Sequence, residues 1–293
     1  MRIAALITSF NRKATTLACL ARLFEQKAPG ELRVFLTDDN SRDGSAEAVR
    51  AEFPQVRVLA GDGNLYWCGG MRVAFREALK ENFDFYLWLN DDTLLESGAI
   101  ARLLEAYRRI RAEGSNRPIV VGSTRNAKTG APTYGGVIRS SRVHPLKYRL
   151  VTPGDEPIQC DTMNGNCVLI PRAVAVEVGN LSSEFRHSVG DFDYGLRARK
   201  AGCTIWAAPG FAGTCSWNNI TGGFLDAELP LGKRWRHMMS SKGLPPREHL
   251  LFARRHAGMF WMFFWVLPYL RIVFGSISDT LSRQFWRPLR TSK

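Results

Sequence analysis

The chain lacks any apolar run long enough to cross a bilayer. Its longest, 257–270, holds fourteen apolar or aromatic residues, against the roughly 20 that a spanning helix needs. It also lacks a CxxC pair. Cys19, Cys68, Cys160, Cys167, Cys203 and Cys215 stand at spacings that offer no zinc site, so they read as reduced, buried thiols. No secretory signal is legible: the largely apolar stretch 1–8 gives way at once to Asn11, Arg12 and Lys13. A buried first strand, in a chain that works in the cytosol, is the expectation. Internal repeats and low-complexity segments are missing too. Hydrophobic residues at 45% and charged residues at 23% exclude disorder. The 293 residues suffice for one full core and fall short of two large domains.

Acidic residues are scarce at one end. From Leu231 onward, twelve Lys and Arg face only Glu248 and Asp279, so this tail carries +10 of the chain's net +13. Such an end suits an anionic partner, nucleic acid or acidic lipid.

Elsewhere, short apolar runs alternate with helical periodicity. Strands are expected at Ile3–Thr8, Arg33–Thr37, Val56–Ala60 and Phe85–Leu89. Between and after them, helical faces are marked by Leu17, Leu20, Leu23 and Phe24; by Ala46, Val49 and Phe53; by Met71, Ala74, Phe75, Ala78 and Leu79; and by Ile100, Leu103, Leu104, Tyr107 and Ile110. This grammar predicts an α/β fold, a mainly parallel sheet with helices on both faces. After Pro118 the strands Ile119–Gly122, Tyr134–Ile138, Met163–Ile170 and Thr204–Ala207 are joined by longer Gly-rich and polar loops, with a helix starting near Asp193. The expected organisation is one domain over 1–230, with halves 1–117 and 118–230. A basic, aromatic helical extension over 231–293 follows the Gly222-Gly223 and Pro230 punctuation.

Two acidic groups fall at strand ends, where open parallel sheets bind ligands. Asp38-Asp39-Asn40-Ser41-Arg42-Asp43-Gly44-Ser45 follows the second strand and Asn90-Asp91-Asp92-Thr93 the fourth. Converging carboxylates repel unless a cation or ligand hydroxyls compensate them. A divalent ion bridging two phosphates does so, because Mg²⁺ takes a few carboxylates plus phosphate oxygens. An EF-hand is excluded, since Arg50 stands where its twelfth-position Glu belongs. Turn and helix-cap roles for Asp43, Ser45, Asp91 and Asp92 are the plainer alternative.

With Thr8-Ser9-Phe10-Asn11-Arg12, Asn64 through Arg72, Asn164-Gly165-Asn166 and Gly190 through Arg197 added in order, the chain resembles a family-2 glycosyltransferase of the GT-A (Rossmann-like) fold over roughly residues 1–220. The resemblance implies that Thr8, Phe10, Asn11 and Arg12 line a nucleotide pocket, with Asp39 on the base. Asn90-Asp91-Asp92 takes the place of the family's DxD motif. Asn90 replaces its first Asp and can bond a ribose hydroxyl, so binding of Mg²⁺ or Mn²⁺ rests on Asp92, with Asp91 beside it. Asp191 aligns with the family's base, although Gly190 replaces the usual Glu. The implied reaction is inverting transfer from a UDP- or dTDP-sugar, dTDP-rhamnose included, to a glycan or lipid-linked hydroxyl, as in rhamnosyltransferase-like enzymes of bacterial surface polysaccharide assembly.

Chemistry supports those roles. The metal stabilises the leaving diphosphate as a Lewis acid, and a carboxylate near the anomeric carbon takes the acceptor proton. Asp193 reads either as a lining residue or as a helix N-cap, and His187 either as a substrate-orienting group or a satisfied structural histidine. In the Gly-rich segment 61–72, Asn64 and Arg72 suit the donor, Arg72 through phosphate, and Trp67 either stacks on a sugar or base or is buried. Asn164 lines the donor or acceptor site, or forms a turn.

In the tail, Phe260, Trp261, Phe263, Phe264, Trp265 and Tyr269 lie between Arg254-Arg255 and Arg271. Pro268 breaks the run. Interfacial insertion on an anionic membrane through 247–290 is expected, with Trp and Tyr at headgroup depth and no nucleic acid. The enzyme is then peripheral, on the inner face of the cell membrane. A core or oligomer helix is the alternative for the run. Two other functions compete. A nucleotidylyltransferase wants a Gly-rich basic loop after the first strand, which Ser9-Phe10-Asn11 is not, and a non-catalytic membrane-binding protein has no use for Asp39, Asp92 and Asp191.

Overall fold

The computed structural model describes residues 1–27, 29–217, 223–226 and 228–285, with backbone alone over 275–285. Gly222, Arg287, Arg290 and Lys293 from the sequence argument lie outside the described residues. Two compact units are present, one of residues 1–142 and 147–217, the other of 143–146 and 218–293.

The first unit begins with β1 (Arg2–Ser9), α1 (Lys13–Phe24), β2 (Glu31–Asp38), α2 (Ser45–Glu52), β3 (Arg57–Ala60), α3 (Tyr66–Ala78) and β4 (Phe85–Leu89). Strands β3, β2, β1 and β4 run parallel side by side. Their near-continuous apolar sequence follows from burial on both faces: β1 is buried from Ile3 to Thr8. The register decides the site. Ser9 lies opposite Asp38 and Leu6 opposite Trp88, so the loops carrying Phe10, Asp39 and Asn90 leave the sheet at one edge. The helical faces read from periodicity pack inward: Leu20 and Leu23, Val49, Met71 and Phe75, Leu103 and Ile110 are all buried.

Then come β5 (Leu94–Leu95), α4 (Ala99–Ala112), β6 (Pro118–Arg125), β7 (Pro132–Tyr134), β8 (Gly136–Arg139), β9 (Tyr148–Leu150), β10 (Ile158–Cys160), β11 (Thr162–Met163), β12 (Cys167–Pro171), α5 (Arg172–Val178), α6 (Gly190–Lys200) and β13 (Thr204–Thr214). The main sheet has the order β10-β13-β6-β12-β4-β1-β2-β3, with β5 on β13 and β7 on β6; β11, β8 and β9 form a second, small sheet. Strand β12 runs antiparallel to both β4 and β6 and joins the two halves.

Four sequence expectations need correction. Tyr134–Ile138 is two strands, parted at Gly135, and Met163–Ile170 is two, parted at Asn164-Gly165-Asn166. In both cases one segment serves two sheets and must turn between them. The sixth helix starts at Gly190 rather than near Asp193. No helix opens at Asp91-Asp92 either, because β5 intervenes before α4.

The second unit holds α7 (Leu231–Met239), α8 (Pro246–His256) and α9 (Trp261–Phe285). Pro246 opens α8 at a position where a missing N–H costs nothing. Pro268 does not end α9, which continues through it. One face of α9 packs within the unit: Phe264 lies against Ala253 and Ala257, with Trp261 and Trp265 beside them. The Trp265 indole donates to the Pro246 carbonyl at 3.1 Å and the Tyr269 hydroxyl to that of Leu244 at 2.9 Å. The other side leaves Phe263, Leu270 and Phe274 exposed, along with Met259, Phe260 and Met262. No helix among the described residues is long and apolar enough to cross a membrane.

Candidate active site

Three loops meet at the carboxyl edge of the parallel strands, and short polar contacts tie them together. After β1, the Asn11 amide donates to the Ser41 hydroxyl at 2.9 Å, and the Asn11 side-chain oxygen accepts from the Arg42 amide at 2.7 Å. The Lys13 amide donates to Asp43 at 2.9 Å. Asp43 thus serves the turn before α2, as the plainer sequence reading had it. Thr8 is buried, close against Gly70 of α3. The Phe10 ring stays half exposed at the rim.

Asp39 is 4% exposed and accepts three backbone amides. One oxygen accepts from the Gly63 amide at 2.8 Å; the other accepts from the Leu65 and Tyr66 amides at 2.9 and 3.1 Å. It therefore clamps the Gly-rich loop that carries Asn64 and Trp67. Each carboxylate oxygen can accept twice, so Oδ1 keeps capacity for a ligand. The Arg72 guanidinium reaches the Ser182 carbonyl at 3.4 Å and links α3 to the segment before α6.

The centre of the site is Arg12. Its Nη1 donates to Asp91 at 2.8 Å and to Asp92 at 2.9 Å, bridging the β1 and β4 loops. Asp91 is 5% exposed. Burial pushes its carboxyl up to about 6, with Arg12 opposing and the neighbouring Asp92 adding to the rise. Asp92 is the more open of the two, and the Cys215 thiol donates to its Oδ1 at 3.4 Å. Asn90 is turned the other way: its side-chain oxygen accepts from the Trp67 indole at 2.7 Å, and its amide donates to the Asn166 carbonyl at 3.0 Å.

That last bond leads to Asp191. The Gly165 amide donates to Asp191 Oδ2 at 2.9 Å, and the Phe192 amide to Oδ1 at 2.8 Å. Desolvation raises the Asp191 carboxyl to about 6 against these two bonds. Its helix is anchored by Tyr194, fully buried with its ring 4.8 Å from that of Trp88. Asp193, also fully buried, is not a cap: Val189 holds that position, and Asp193 pairs with Arg197 at 2.8 Å. His187 packs its ring 6.2 Å from Tyr66. Asn164 bonds Gly135 in both directions, donating from its amide at 2.9 Å and accepting on its side chain at 3.3 Å.

Backbone strain marks the same loops. Among the described residues, the non-glycine residues with positive φ are Asn11, Asn40, Tyr66 and Val189, in the segments after β1 and β2 and before α3 and α6. A β-branched residue such as Val189 pays most for that conformation, and such strain gathers at ligand-binding sites.

The donor set fits a hard divalent ion that brings phosphate ligands of its own. Asp92 and Asp91 offer carboxylate oxygens, and the described residues contain no group of three His, Cys, Asp or Glu able to hold a metal by themselves. That is the pattern Mg²⁺ takes with nucleotides, one or two carboxylates plus phosphates and water.

A model of the family described as Glycosyl transferase family 2 matches residues 4–168, the span from β1 to the strand behind Asn90. The chain belongs to glycosyl transferase family 2. An uncharacterized protein of Mycobacterium tuberculosis is 30% identical over 183 residues, 58% of this chain and 64% of that protein, so the chain spans less than two thirds of that relative's length. An N-acetylglucosaminyl-diphospho-decaprenol L-rhamnosyltransferase of the same species is 22% identical over 84% of this chain and 80% of its own. Among solved structures, a mannosyltransferase from Pyrobaculum calidifontis in complex with GDP-Man and Mn²⁺ shares the fold, with a TM-score of 0.53 at 15% identity over 87% of this chain and 64% of that one. The mixed sheet with helices on both faces is the GT-A arrangement of such structures.

Sequence reasoning named Gly165 only as part of the Asn164-Gly165-Asn166 motif and gave no site role to Cys215, Tyr134 or Trp217. Gly165 matters most, since a Cβ there would meet the Trp67 ring at 2.4 Å. Gly165→Ala is expected to displace the indole and destabilise the protein by about 1–3 kcal/mol, as overpacking does. Thermal melting checks this, and an unchanged midpoint would contradict the tight packing.

Proposed function

We propose that this chain is an inverting, metal-dependent glycosyltransferase that moves a sugar from a nucleoside-diphosphate sugar to a hydroxyl of a glycan or lipid-linked acceptor. The observation that carries this is the Asn90–Asn166–Gly165–Asp191 connection. It supports the reading by linking, through backbone hydrogen bonds, the loop that carries an acidic pair suited to a diphosphate-bound ion to the loop that holds a desolvated carboxylate.

In this reading the nucleoside lies over the β1 and β2 loops, with Phe10 and Asn11 at its rim and Asp39 beneath. Asn90 lies by the ribose. Bound through Asp92, with Asp91 beside it, Mg²⁺ or Mn²⁺ supplies Lewis-acid stabilisation of the departing diphosphate. Arg12 adds positive charge at the same place. Asp191 accepts the proton of the acceptor hydroxyl as its oxygen bonds to the anomeric carbon and the bond from that carbon to the diphosphate breaks. Attack opposite the leaving group inverts the centre. His187, Asn164 and Asn64 border the substrates, Asp193 supports α6, and Arg72 shapes α3. The rhamnosyltransferase relative favours a dTDP-sugar such as dTDP-rhamnose, and with it a role in surface polysaccharide assembly. A nucleotidylyltransferase is disfavoured because the turn after β1 is spent on holding Ser41 and Arg42.

The test is a screen of nucleotide sugars for metal-dependent diphosphate release. Asp92→Ala is expected to abolish it. Asp191→Asn should lower transfer at least 10²-fold, the low end of a general base's contribution, while retaining nucleotide binding. A base raised to about 6 is protonated below that pH, so wild-type transfer should fall as pH drops through 6. Normal transfer by Asp191→Asn removes the base assignment.

The second unit supports a peripheral membrane role. Phe260, Phe263, Leu270 and Phe274 are exposed, and Arg254, Arg255 and Arg271 flank them. Trp265 and Tyr269, expected at headgroup depth, are instead turned inward, so Phe and Met make the inserting face. Insertion combined with charge attraction predicts flotation with anionic vesicles and not with neutral ones. Phe263→Glu with Phe274→Glu should abolish it, and equal flotation with both vesicle types would contradict the electrostatic part.

A further inference from the structure

We infer that Trp217, stacked on Tyr134, is an aromatic platform for a pyranose ring of the acceptor. The inference rests on the transferase reading and adds a binding subsite to it. The two rings are parallel, 5.2 Å between centroids and 10° between planes. Trp217 is 50% exposed, so Tyr134 backs one face of the indole and the other is open.

The platform is built from the sheet. Tyr134 pairs with Thr124 on one side of β6, and Thr214, three residues before Trp217, lies opposite Arg125 on the other. The Cys215 amide donates to the Arg125 carbonyl at 3.0 Å, which fixes the chain just before the indole. Two independent routes tie the stack to the reacting groups. From Tyr134, the next residue Gly135 accepts the Asn164 amide at 2.9 Å, and the next residue again, Gly165, holds Asp191. From Trp217, Cys215 two residues back touches Asp92. The segments that carry the two rings are thus hydrogen-bonded to the loops that hold Asp191 and Asp92.

The occupant follows from position and chemistry. A flat, amphipathic aromatic surface suits a ligand with an apolar face and a polar rim, which a pyranose has. A nucleobase also stacks, but Asp39 follows β2, and β13 is five strands from β2 in the sheet order. In the proposed function the base lies over the β1 and β2 loops, whereas Trp217 follows β13, whose end pairs with β5 beyond Asp92, so a ring on Trp217 belongs to the other substrate. Trp217 then recognises the acceptor sugar.

The test uses the full chain with octyl glycosides of glucose, galactose and N-acetylglucosamine as acceptors, and the nucleotide sugar that wild type turns over. Trp217→Ala is expected to raise the acceptor KM at least tenfold while the donor KM moves less than twofold, and Trp217→Phe to recover most of the loss. Matching melting curves establish that both variants fold. An unchanged acceptor KM overturns the platform, and so does an equal rise in donor KM, the result expected of a stacked donor base. If wild type neither releases diphosphate nor transfers, the transferase reading itself fails and the platform falls with it.

Discussion

Two adjacent carboxylates at the end of a buried strand are tolerable only if positive charge meets them. In this protein Arg12 provides it, from the loop after β1. Like charges this close otherwise force one group to stay neutral; burial raises the Asp91 carboxyl, Arg12 opposes the rise and Asp92 adds to it. Because Arg12 is 45% exposed on its side chain, solvent screens the pair and its guanidinium is free to turn toward a phosphate. The bridge positions the β1 and β4 loops, and in the proposed function it leaves a cation where the nucleotide's charge arrives.

The remaining geometry follows from holding strained loops open. Asp39 has three backbone amides on it, and Asp191 two. These carboxylates fix main chain as much as they face ligand. Beneath them Trp88, Phe75 and Tyr194 form a buried aromatic layer that joins β4, α3 and α6. The loops above it hold Asn11, Tyr66 and Val189 in conformations their side chains disfavour. In the proposed function, rigidity of this kind keeps Asp191 and the Asp91-Asp92 pair at constant separation, as transfer requires.

Much of this was legible in sequence because it is periodic. The alternation of apolar runs and helical stripes gave β1–β4 and α1–α4 to within a few residues, and the strand-end rule brought Asp39 and Asn90 to one edge. What escaped was set by tertiary contact. The breaks at Gly135 and Gly165 arise because one segment serves two sheets, which no local pattern announces. Asp193 looked like a cap because Asp is common there, yet the helix begins earlier and Asp193 finds Arg197 one turn on. Pro268 looked like a stop, although α9 runs through it. Trp217 carried no spacing signal, since its meaning comes from Tyr134, eighty-three positions away in the chain.

The central claim is that one pocket gathers Asp39, Asp92 and Asp191 around a cation and a diphosphate. Crystals soaked with Mn²⁺ and a nucleoside diphosphate test it through the anomalous signal of the metal. The account predicts a single strong Mn²⁺ peak at Asp92, with phosphate oxygens completing its shell, the base over Asp39 and Asp191 facing the vacant sugar position. A peak away from Asp92, or a nucleotide bound on another surface, would contradict it.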